Sequence, residues 1–498
     1  MIILLFSLAL PIILACVYFI HMPKRRPHRD PLPPGPPPIP LIGNLHQIGS
    51  AAVLHLYLHQ LSKKYGPIIH MKLGHVPLLV ISSANLAKQV LKNQDSSFCN
   101  RPKYLGQQKL SYNNSDIVFS PYNDYCKEMK KITSIHLFSP KRVHSYRPIR
   151  EEEIARMISQ IESFSSNDRV VNLSEMAMAL MSSLVCRIAF GKRYEDHGSE
   201  VRRFDKLLEE VQAVAVAFYV SDYFPAFGWV DRVTGMIGRL NSVVERMDLF
   251  YEELIKEHLD RKGEEGMDDI LHVLIQLKLE NKVDLGWHNI KALLMDIFVA
   301  GTETSSSAII WTMTALIKAP KVMEKLKNEI RNLIGKKGKV DEDDLTKLPY
   351  LKAVVNESLR LYPPGPLLIP RETTKGCLLD GYEIGAKTVV YVNAYAIGRD
   401  TEHWENPDGF MPERFLDSNI DAKGQDFGLI PFGSGRRMCP GILMGLLNVE
   451  LTIANLLYSF DWELPPGVYA HDVDTDPKPG VAVQKKNALL LVPKTYTI

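Results

Sequence analysis

The first apolar pattern in the chain is an uninterrupted run at the amino terminus. From Met1 to Ile20 no residue carries a charge, and about 20 helical residues are long enough to cross the roughly 30 Å hydrocarbon layer of a bilayer. Four basic residues follow this run and none precedes it: Lys24, Arg25, Arg26 and Arg29. A cleaved signal peptide carries its basic residues before the apolar run, so this order is typical of a stop-transfer anchor. Residues 1–22 are predicted to be one transmembrane helix that leaves the rest of the chain on the cytosolic side.

A proline-rich stretch follows, from Leu32 to Pro40. Proline rings fix φ and favour an extended, semi-rigid polyproline segment. Its position directly after the anchor favours a spacer over an SH3-type ligand. Residues 23–40 are therefore predicted to be a basic and proline-rich linker, and residues 41–498 a single globular body.

The pattern of the body is mainly helical, with two strand-rich stretches. The segments 68–73 and 77–81 are predicted strands joined by a short turn, and Ser82 or Ser83 is predicted to cap the helix that follows. A second stretch, from Lys375 to Asn393, carries glycines where turns would fall. No internal repeat is present, so the body is predicted to be one large domain or two intimately packed ones.

Composition excludes some functions. Lys and Arg total 59 against 57 for Asp and Glu, and no long block of one sign could follow a nucleic-acid backbone, so nucleic acid is not an expected partner. The six cysteines lie far apart and form no C-x-x-C pair. They are predicted to be free thiols in a reducing compartment.

The strongest chemical motif is the glycine-rich segment 432–441, with the sequence FGSGRRMCPG. Glycines on both sides of Cys439 let the backbone turn tightly and approach a flat cofactor, while the sulfur projects from the turn. A thiolate so placed can ligate iron, backbone N–H groups can donate to the sulfur, and Arg437 can pair with a cofactor carboxylate. The alternative is a glycine-rich turn that contains a structural cysteine. An apolar run from Ile442 to Leu457 is predicted to be a buried helix.

This segment resembles the haem-binding loop of the cytochrome P-450 family. The matching positions are Phe432, Gly435, Arg437, Cys439 and Gly441, and the resemblance covers essentially the whole chain. It implies a mainly α-helical fold with a small β-rich lobe, residues 41–498 as the catalytic domain, and haem b whose iron has the Cys439 thiolate as axial ligand. Thiolate ligation pushes electron density toward the iron and favours O–O cleavage.

A second motif lies in the predicted helix 289–318, whose centre reads AGTETS from Ala300 to Ser305. The small residues Ala300 and Gly301 remove bulk from one face, and the Thr304 hydroxyl can bond the carbonyl of Ala300 and bend the helix. A groove there could hold dioxygen and a water. The resemblance assigns Glu303 and Thr304 to proton delivery during oxygen activation. The alternative is an exposed helix with ordinary polar residues.

Further matches concern the scaffold and the cofactor carboxylates. Glu357 and Arg360 are three residues apart and can pair on one helical face, and the resemblance adds Arg414 to them in a buried structural network. Arg371 matches a position that contacts a haem propionate. Many relatives carry tryptophan and arginine where this chain has Cys126 and Lys130, which puts the propionate contacts on that side in doubt, although Lys130 remains a candidate. Cys126 is predicted to be a packed thiol and not a second iron ligand.

The remaining expectations concern partners and substrate. A positive patch is predicted near the cofactor, formed by Lys127, Lys130, Lys131 and Arg436. Such a patch would receive an acidic electron donor, which the resemblance identifies as the NADPH-dependent cytochrome P-450 reductase of the endoplasmic reticulum membrane. The chain itself has no G-x-G-x-x-G nucleotide motif.

The motifs resemble the plant microsomal A-type group of specialised metabolism. That resemblance implies a monooxygenase that inserts one atom of dioxygen into a small hydrophobic substrate, such as an aldoxime, a terpenoid or a phenolic. The apolar and aromatic segments 103–119 and 211–227 are candidate pocket walls. Two other functions are considered: a haem-thiolate isomerase or dehydratase that needs no reductase, and a non-catalytic haem carrier or sensor.

Overall fold

The structure, a computed structural model, describes residues 32–497 except residues 52, 166–168, 194–198, 261–267, 282 and 481. The predicted anchor 1–22 and the first part of the predicted linker lie outside the described residues. Within them, helices dominate and the strands are short, as the sequence predicts.

The longer helices build most of the body. Those of nine residues or more are Leu54–Tyr65, Asp124–Ile132, Arg147–Ser165, Leu173–Phe190, Ser199–Ala215, Met236–Asp260, Ile270–Leu279, Trp287–Lys318, Pro320–Ile334, Pro349–Leu361 and Ile442–Ser459. Shorter helices are Leu45–Ser50, Ala84–Lys88, Asp95–Phe98, Leu105–Leu110, Pro140–Ser145, Val220–Tyr223, Val230–Val233 and Ala394–Ile397. We call Trp287–Lys318 the central helix and Ile442–Ser459 the C-terminal helix.

The strands of the described residues form four small sheets. They are β1 Ile68–Leu73, β2 Val76–Ile81, β3 Val171–Asn172, β4 Arg371–Glu372, β5 Cys377–Leu379, β6 Tyr382–Ile384, β7 Val389–Val392, β8 Phe460–Glu463, β9 Pro477–Lys478, β10 Gln484–Lys485 and β11 Leu490–Thr495. The largest sheet has the order β1-β2-β7-β4, in which β2 and β7 run parallel and the other neighbours antiparallel. A second sheet has the order β3-β11-β8, and β5-β6 and β9-β10 are two-stranded sheets.

Both predicted strand-rich regions are confirmed. The β1-β2 hairpin pairs Leu73 with Val76 across its turn, and Ser83 caps the next helix by accepting from the N–H of Leu86 at 3.4 Å. The second region supplies β5, β6 and β7. Strand β7 then joins β2, so two stretches separated by about 300 residues of chain meet in one sheet.

Within the part of the chain that the structure describes, three helices are as long and as apolar as membrane spans: Leu173–Phe190, the central helix and the C-terminal helix. Between 56% and 67% of the residues in their apolar windows are nevertheless buried inside the protein. Their apolar residues therefore pack in the interior of the protein, where the central helix contacts both of the other helices. A helix that is apolar on most of its circumference is expected at such a position.

The proline-rich segment is attached to the body where it is described. The N–H of His70 in β1 donates to the carbonyl of Pro34 at 2.9 Å, and the Asn44 amide donates to the carbonyl of Pro36 at 3.2 Å. Gly35 lies so close to β1 that an added Cβ would collide with the His70 carbonyl oxygen. This part of the predicted linker is therefore held against the β1 strand and is not a free spacer.

Candidate functional site

The cysteine loop is a tight turn that glycine makes possible. Gly433 and Gly435 have φ of +69° and +73°, which non-glycine residues rarely adopt. A Cβ on Gly435 would also collide with the carbonyl oxygen of Leu91. The N–H of Cys439 donates to the carbonyl of Phe432 at 3.1 Å and closes the loop. The turn ends where the C-terminal helix begins, at Ile442.

Cys439 is a free thiol. Burial raises its pKa, while a hydrogen bond from the N–H of Gly441 and the charge of Lys130 act in the opposite direction. The N–H donor and the nearby ammonium both favour the thiolate, which is the form that ligates a metal.

The apolar residues that follow Cys439 are only half-buried. All positions from Pro440 to Leu447 are partly accessible, whereas the helix is buried from Asn448 to Tyr458. Met444 packs against the core cluster that contains Phe298, and Leu446 against the cluster that contains Ala308. Apolar side chains this deep in the fold are normally fully buried. These apolar side chains are therefore available to contact an apolar group beside the cysteine loop.

The central helix has an accessible patch in its middle. Ala300 is exposed and Glu303 and Thr304 are partly accessible, although most of the helix is buried. The Thr304 hydroxyl donates to the carbonyl of Ala300 at 2.7 Å, as predicted. The role suggested for Gly301 needs a correction, since its missing side chain makes room for Val185 of the neighbouring helix: an added Cβ would lie 2.9 Å from the Val185 Cγ2 atom.

Glu303 is poised to exchange protons near neutral pH. Burial raises its pKa to about 7, and a hydrogen bond from Gln212 and the charge of Lys478 partly oppose that rise. An acid with a pKa close to the working pH is well suited to general acid–base catalysis.

Three arginines gather behind the cysteine loop. Arg101 and Arg371 are buried; burial lowers the pKa of both, and the charge of the nearby Arg437 lowers them further. Asp95 pairs with Arg371 at 2.8 Å. Arg437 donates to the carbonyls of Cys99, Ile117 and Ser120. More positive than negative charge is therefore buried here, which fits a cofactor that carries carboxylates, such as the propionates of haem.

Lys130 and Cys126 lie at the edge of this arginine cluster. Lys130 Nζ donates to the carbonyl of Arg436 at 2.6 Å, and burial lowers its pKa. The buried Cys126 sulfur lies 3.2 Å from Nη1 of Arg437. Cys126 thus contacts an arginine as a packed thiol, in agreement with the prediction.

The predicted positive patch is partly neutralised. Lys127 pairs with Asp124 at 2.8 Å, Arg436 lies 3.5 Å from Asp95, and Lys131 lies 4.0 Å from Glu128. The side chains of all three cations remain about half-exposed or more. The surface therefore presents mixed charge in which the cations can still exchange partners.

The predicted structural network is present. Arg360 and Glu357 are fully buried and share two hydrogen bonds, of 2.7 and 2.8 Å. Nε of Arg414 reaches the same Glu357 carboxylate at 3.2 Å. Arg360 also donates to the carbonyls of Gly398, Pro407 and Gly409, so the network ties the helix Pro349–Leu361 to the loop that precedes the cysteine loop.

Sequence reasoning missed several buried charges near the site. Asp95 and Arg101 give no pattern in the sequence, since each acts through partners far away in the chain. Asp296 could have been found, because it interrupts the otherwise apolar run LLMDIFVA at 293–300. It is buried in the central helix and faces a second buried aspartate, Asp116.

The fold and this site define a class, that of proteins built to hold haem through a cysteine thiolate. The family description Cytochrome P450 matches residues 33–492. The chain is 46% identical over 98% of both chains to the 6,7,8-trihydroxycoumarin synthase of Pastinaca sativa, and 45% identical to the 5-OH-xanthotoxin synthase of Ammi majus over 99% of this chain and 98% of that one. It is also 45% identical to Cytochrome P450 71B37 of Arabidopsis thaliana, over 96% of both chains.

The chain belongs to the cytochrome P450 family, whose members carry haem with a cysteine thiolate as axial ligand. It is an oxidoreductase of that family, and its relatives confirm the predicted resemblance to the plant A-type group. A solved zebra fish cytochrome P450 with progesterone has the same fold, with a TM-score of 0.76 at 25% identity over 88% of this chain and 99% of that one.

Proposed function

We propose that this protein is a membrane-bound monooxygenase that inserts one oxygen atom from dioxygen into a coumarin or a related phenolic, with electrons from NADPH delivered by cytochrome P450 reductase. The observation that carries the proposal is the accessible patch at Ala300, Glu303 and Thr304, in a helix that packs against the C-terminal helix beside the cysteine loop. Haem, when bound there, supplies the binding and activation of dioxygen.

Each candidate residue has a role in this proposal. Cys439 ligates the iron, and Phe432, Gly435 and Gly441 shape the loop that presents its sulfur. Arg371, Arg437 and Lys130 supply positive charge for the propionates. Thr304 holds a water by its hydroxyl, and Glu303 supplies the proton that this water passes on, because its pKa lies close to neutrality.

Aromatic side chains support an aromatic substrate. The candidate pocket walls bring Tyr104 within 6.2 Å of Tyr223, measured between ring centroids. Aromatic side chains can pack against the ring of an aromatic substrate by stacking or in an edge-to-face arrangement. Relatives whose names state a product include a trihydroxycoumarin synthase and a 5-OH-xanthotoxin synthase, which favours phenolics over the aldoximes and terpenoids also considered.

An exposed apolar surface supports location at the endoplasmic reticulum membrane, on its cytosolic side. One part is the segment that carries Val216, Phe218, Phe227, Trp229 and Val233, and the other carries Ile39, Leu41 and Ile42; all are exposed. The two parts meet at the β1-β2 turn, where the N–H of Gly74 donates to Ile42 and that of His75 to Tyr223. Ile39, Leu41 and Ile42 follow closely along the chain after the predicted anchor, and an exposed apolar patch of this kind needs a covering partner.

The alternative functions are less well supported. A haem-thiolate isomerase or dehydratase does not need protons delivered to dioxygen, yet the acid Glu303 and the hydroxyl of Thr304 both occupy the accessible patch. A haem carrier would need neither residue.

The test is turnover of the purified full-length protein with cytochrome P450 reductase, NADPH and a panel of coumarins, simple phenolics, aldoximes and terpenoids. We expect substrate-dependent oxygen uptake and hydroxylated product from a coumarin or phenolic. Product from an aldoxime or terpenoid alone would refute the substrate class and keep the reaction class. Product formed without reductase and oxygen would establish the isomerase or dehydratase.

A further inference from the structure

Two buried aspartates face each other between the central helix and the loop 115–120. Asp116 is 0% exposed and Asp296 is 5% exposed, and each carboxyl group is close enough to the other to affect its pKa. In each carboxyl group Oδ2 accepts a backbone N–H: that of Phe119 at 2.8 Å for Asp116, and that of Ile117 at 2.9 Å for Asp296. Each Oδ1 is buried and makes no hydrogen bond with the described residues.

The charges around the pair balance only one carboxylate. Arg101 is the cation that acts on Asp116, and it donates its own hydrogen bonds to the carbonyls of Val118, Ile369 and Pro370. The other groups near the pair are the phenols of Tyr125 and Tyr251, whose pKa values are raised by burial above the ordinary tyrosine value. Arg437 touches this loop through the carbonyls of Ile117 and Ser120 and not through the carboxyl groups. Two ionised, buried carboxylates in contact would be strongly destabilising here.

We propose that Asp116 and Asp296 share a single proton, which fastens the loop 115–120 to the central helix. Two facing acceptor oxygens without any donor require one proton between them. Burial and the neighbouring carboxylate raise the pKa of Asp296 furthest, so the proton resides on Asp296 and Asp116 carries the charge opposite Arg101. The two acids are positioning residues, because they act through the backbone N–H groups of Ile117 and Phe119.

The shared proton matters because of where Asp296 lies. Residues four apart lie on one helical face, so Asp296, Ala300 and Thr304 follow one another toward the site. Ile117 and Phe119, which belong to a predicted pocket wall, take their backbone position from the two carboxyl groups. Loss of the proton would make two carboxylates repel each other across this junction and would release the pocket wall.

The sign of the pH effect follows from the raised pKa. The loop 115–120 is fully attached to the central helix while the pair holds its proton. This attachment weakens as pH rises through the pKa of the pair in the folded protein. Above that pKa, protection of the Ile117 and Phe119 amides against hydrogen exchange should fall by up to about tenfold per pH unit.

The test is hydrogen exchange of the peptide that covers residues 115–120 in the haem-loaded full-length protein, from mildly acidic to alkaline pH, corrected for intrinsic exchange. Asp296→Asn is the decisive variant, since its amide N–H₂ replaces the shared proton permanently and its carbonyl still accepts from Ile117. We expect wild-type protection in this peptide to fall at alkaline pH while the variant keeps it. Asp116→Asn should also remove the alkaline loss, but with lower stability at every pH, because Arg101 loses its nearby carboxylate.

Asp231→Asn is the matched control. Asp231 is equally buried, and its two oxygens accept the N–H groups of Val220 and Ser221 at 2.8 and 2.9 Å. In Asp231→Asn the side-chain N–H₂ group would therefore face a backbone N–H group, and neither could accept from the other. That variant should be destabilised at all pH values and leave the alkaline loss at 115–120 unchanged. If Asp296→Asn loses protection in parallel with wild type, or is unprotected at every pH, Asp296 is an ionised acceptor and the shared proton is refuted. No substrate is needed, so this outcome is independent of the proposed reaction.

Discussion

At the scale of single residues, the chemistry depends on one sulfur. Among the described residues, Cys99, Cys126, Cys377 and Cys439 are free thiols. Cys439 alone of these four lies in a glycine turn with an N–H donor aimed at its sulfur and partly accessible apolar residues beside it. Cys126 is occupied by its contact with Arg437.

We expect Cys439→Ala to abolish the thiolate-type spectrum of the reduced carbon monoxide complex. Alanine removes the sulfur and leaves the turn intact, so bound haem would lack its axial thiolate. Cys126→Ala is the control and should keep the spectrum. Its loss in a folded Cys126→Ala protein would contradict the assignment of the ligand.

The effect of the Thr304 hydroxyl on coupling can be distinguished from a general effect of its helix by comparison with Thr302. Thr304→Ala should leave haem content unchanged and lower the product formed per NADPH consumed, with peroxide rising in parallel. A positioned proton-transfer group contributes roughly a hundredfold to ten-thousandfold, so partial rescue by water should still leave a large drop. Thr302 makes the same kind of bond, to the Phe298 carbonyl at 2.9 Å, but is fully buried. Equal coupling losses in Thr302→Ala and Thr304→Ala would show a helix effect instead.

The pKa of Glu303, about 7, predicts a pH dependence. The acid holds its proton below that value and loses it above, so product formation that depends on Glu303 as a proton donor should fall as pH rises through neutrality. Glu303→Gln should turn over more slowly and lack this step in its pH profile. An unchanged profile in the variant would show that another group titrates.

At the scale of elements, much of the fold was predictable. Alternation and turn residues gave β1 and β2, and apolar runs gave the central and C-terminal helices, since these signals are local. Predicted and observed ends differ by one or two residues at several places. The central helix, for instance, begins at Trp287 and not at Asn289, because the Asn289 side chain accepts from the N–H of Gly286 and caps the first turn.

What could not be predicted was mostly non-local. Asp95, Arg101 and Arg371 form their hydrogen bonds and ion pairs with carbonyls and charged groups hundreds of residues away in the chain. Their roles therefore cannot be read from neighbouring residues in the sequence. The pairing of Asp116 with Asp296 is of the same kind. The motif around Cys439 was visible because all its parts lie within ten residues, whereas the charges that surround the cofactor come from separate elements.

The Glu357 network should be decisive for stability. Glu357→Gln leaves the Arg360 guanidinium buried without its full counter-charge, and breaking such a pair costs about 3–5 kcal/mol. We expect a lower midpoint of urea unfolding together with reduced haem retention. Lys339→Ala breaks an exposed pair with Glu151 and should change stability by about 1 kcal/mol or less. Equal effects of the two substitutions would show that Glu357 is not part of a buried network.

At the scale of the whole molecule, two large hydrophobic clusters meet the start of the C-terminal helix beside the cysteine loop, one through Leu446 and the other through Met444. The proposed cytosolic placement has a built-in test. Three N-x-S sequons are present, at Asn113, Asn172 and Asn356, and glycosylation occurs on the lumenal side. We expect none to carry a glycan when the full-length protein is expressed in a eukaryotic cell and examined by mass spectrometry. Glycan on any of them would reverse the proposed topology.

The attachment of Pro34 and Pro36 to the body has a mechanical consequence. A force applied through the amino-terminal chain is transmitted directly to β1 and is not taken up by a flexible joint. Strand β1 resists this force because it is paired with β2 along its whole length. Lengthening the chain before residue 32 would change how far the body can drift from a tethering point. Inserting residues between Pro34 and Asn44 would also allow the body to rotate about its amino-terminal connection. The body would then lose a fixed orientation relative to the surface that holds the tether.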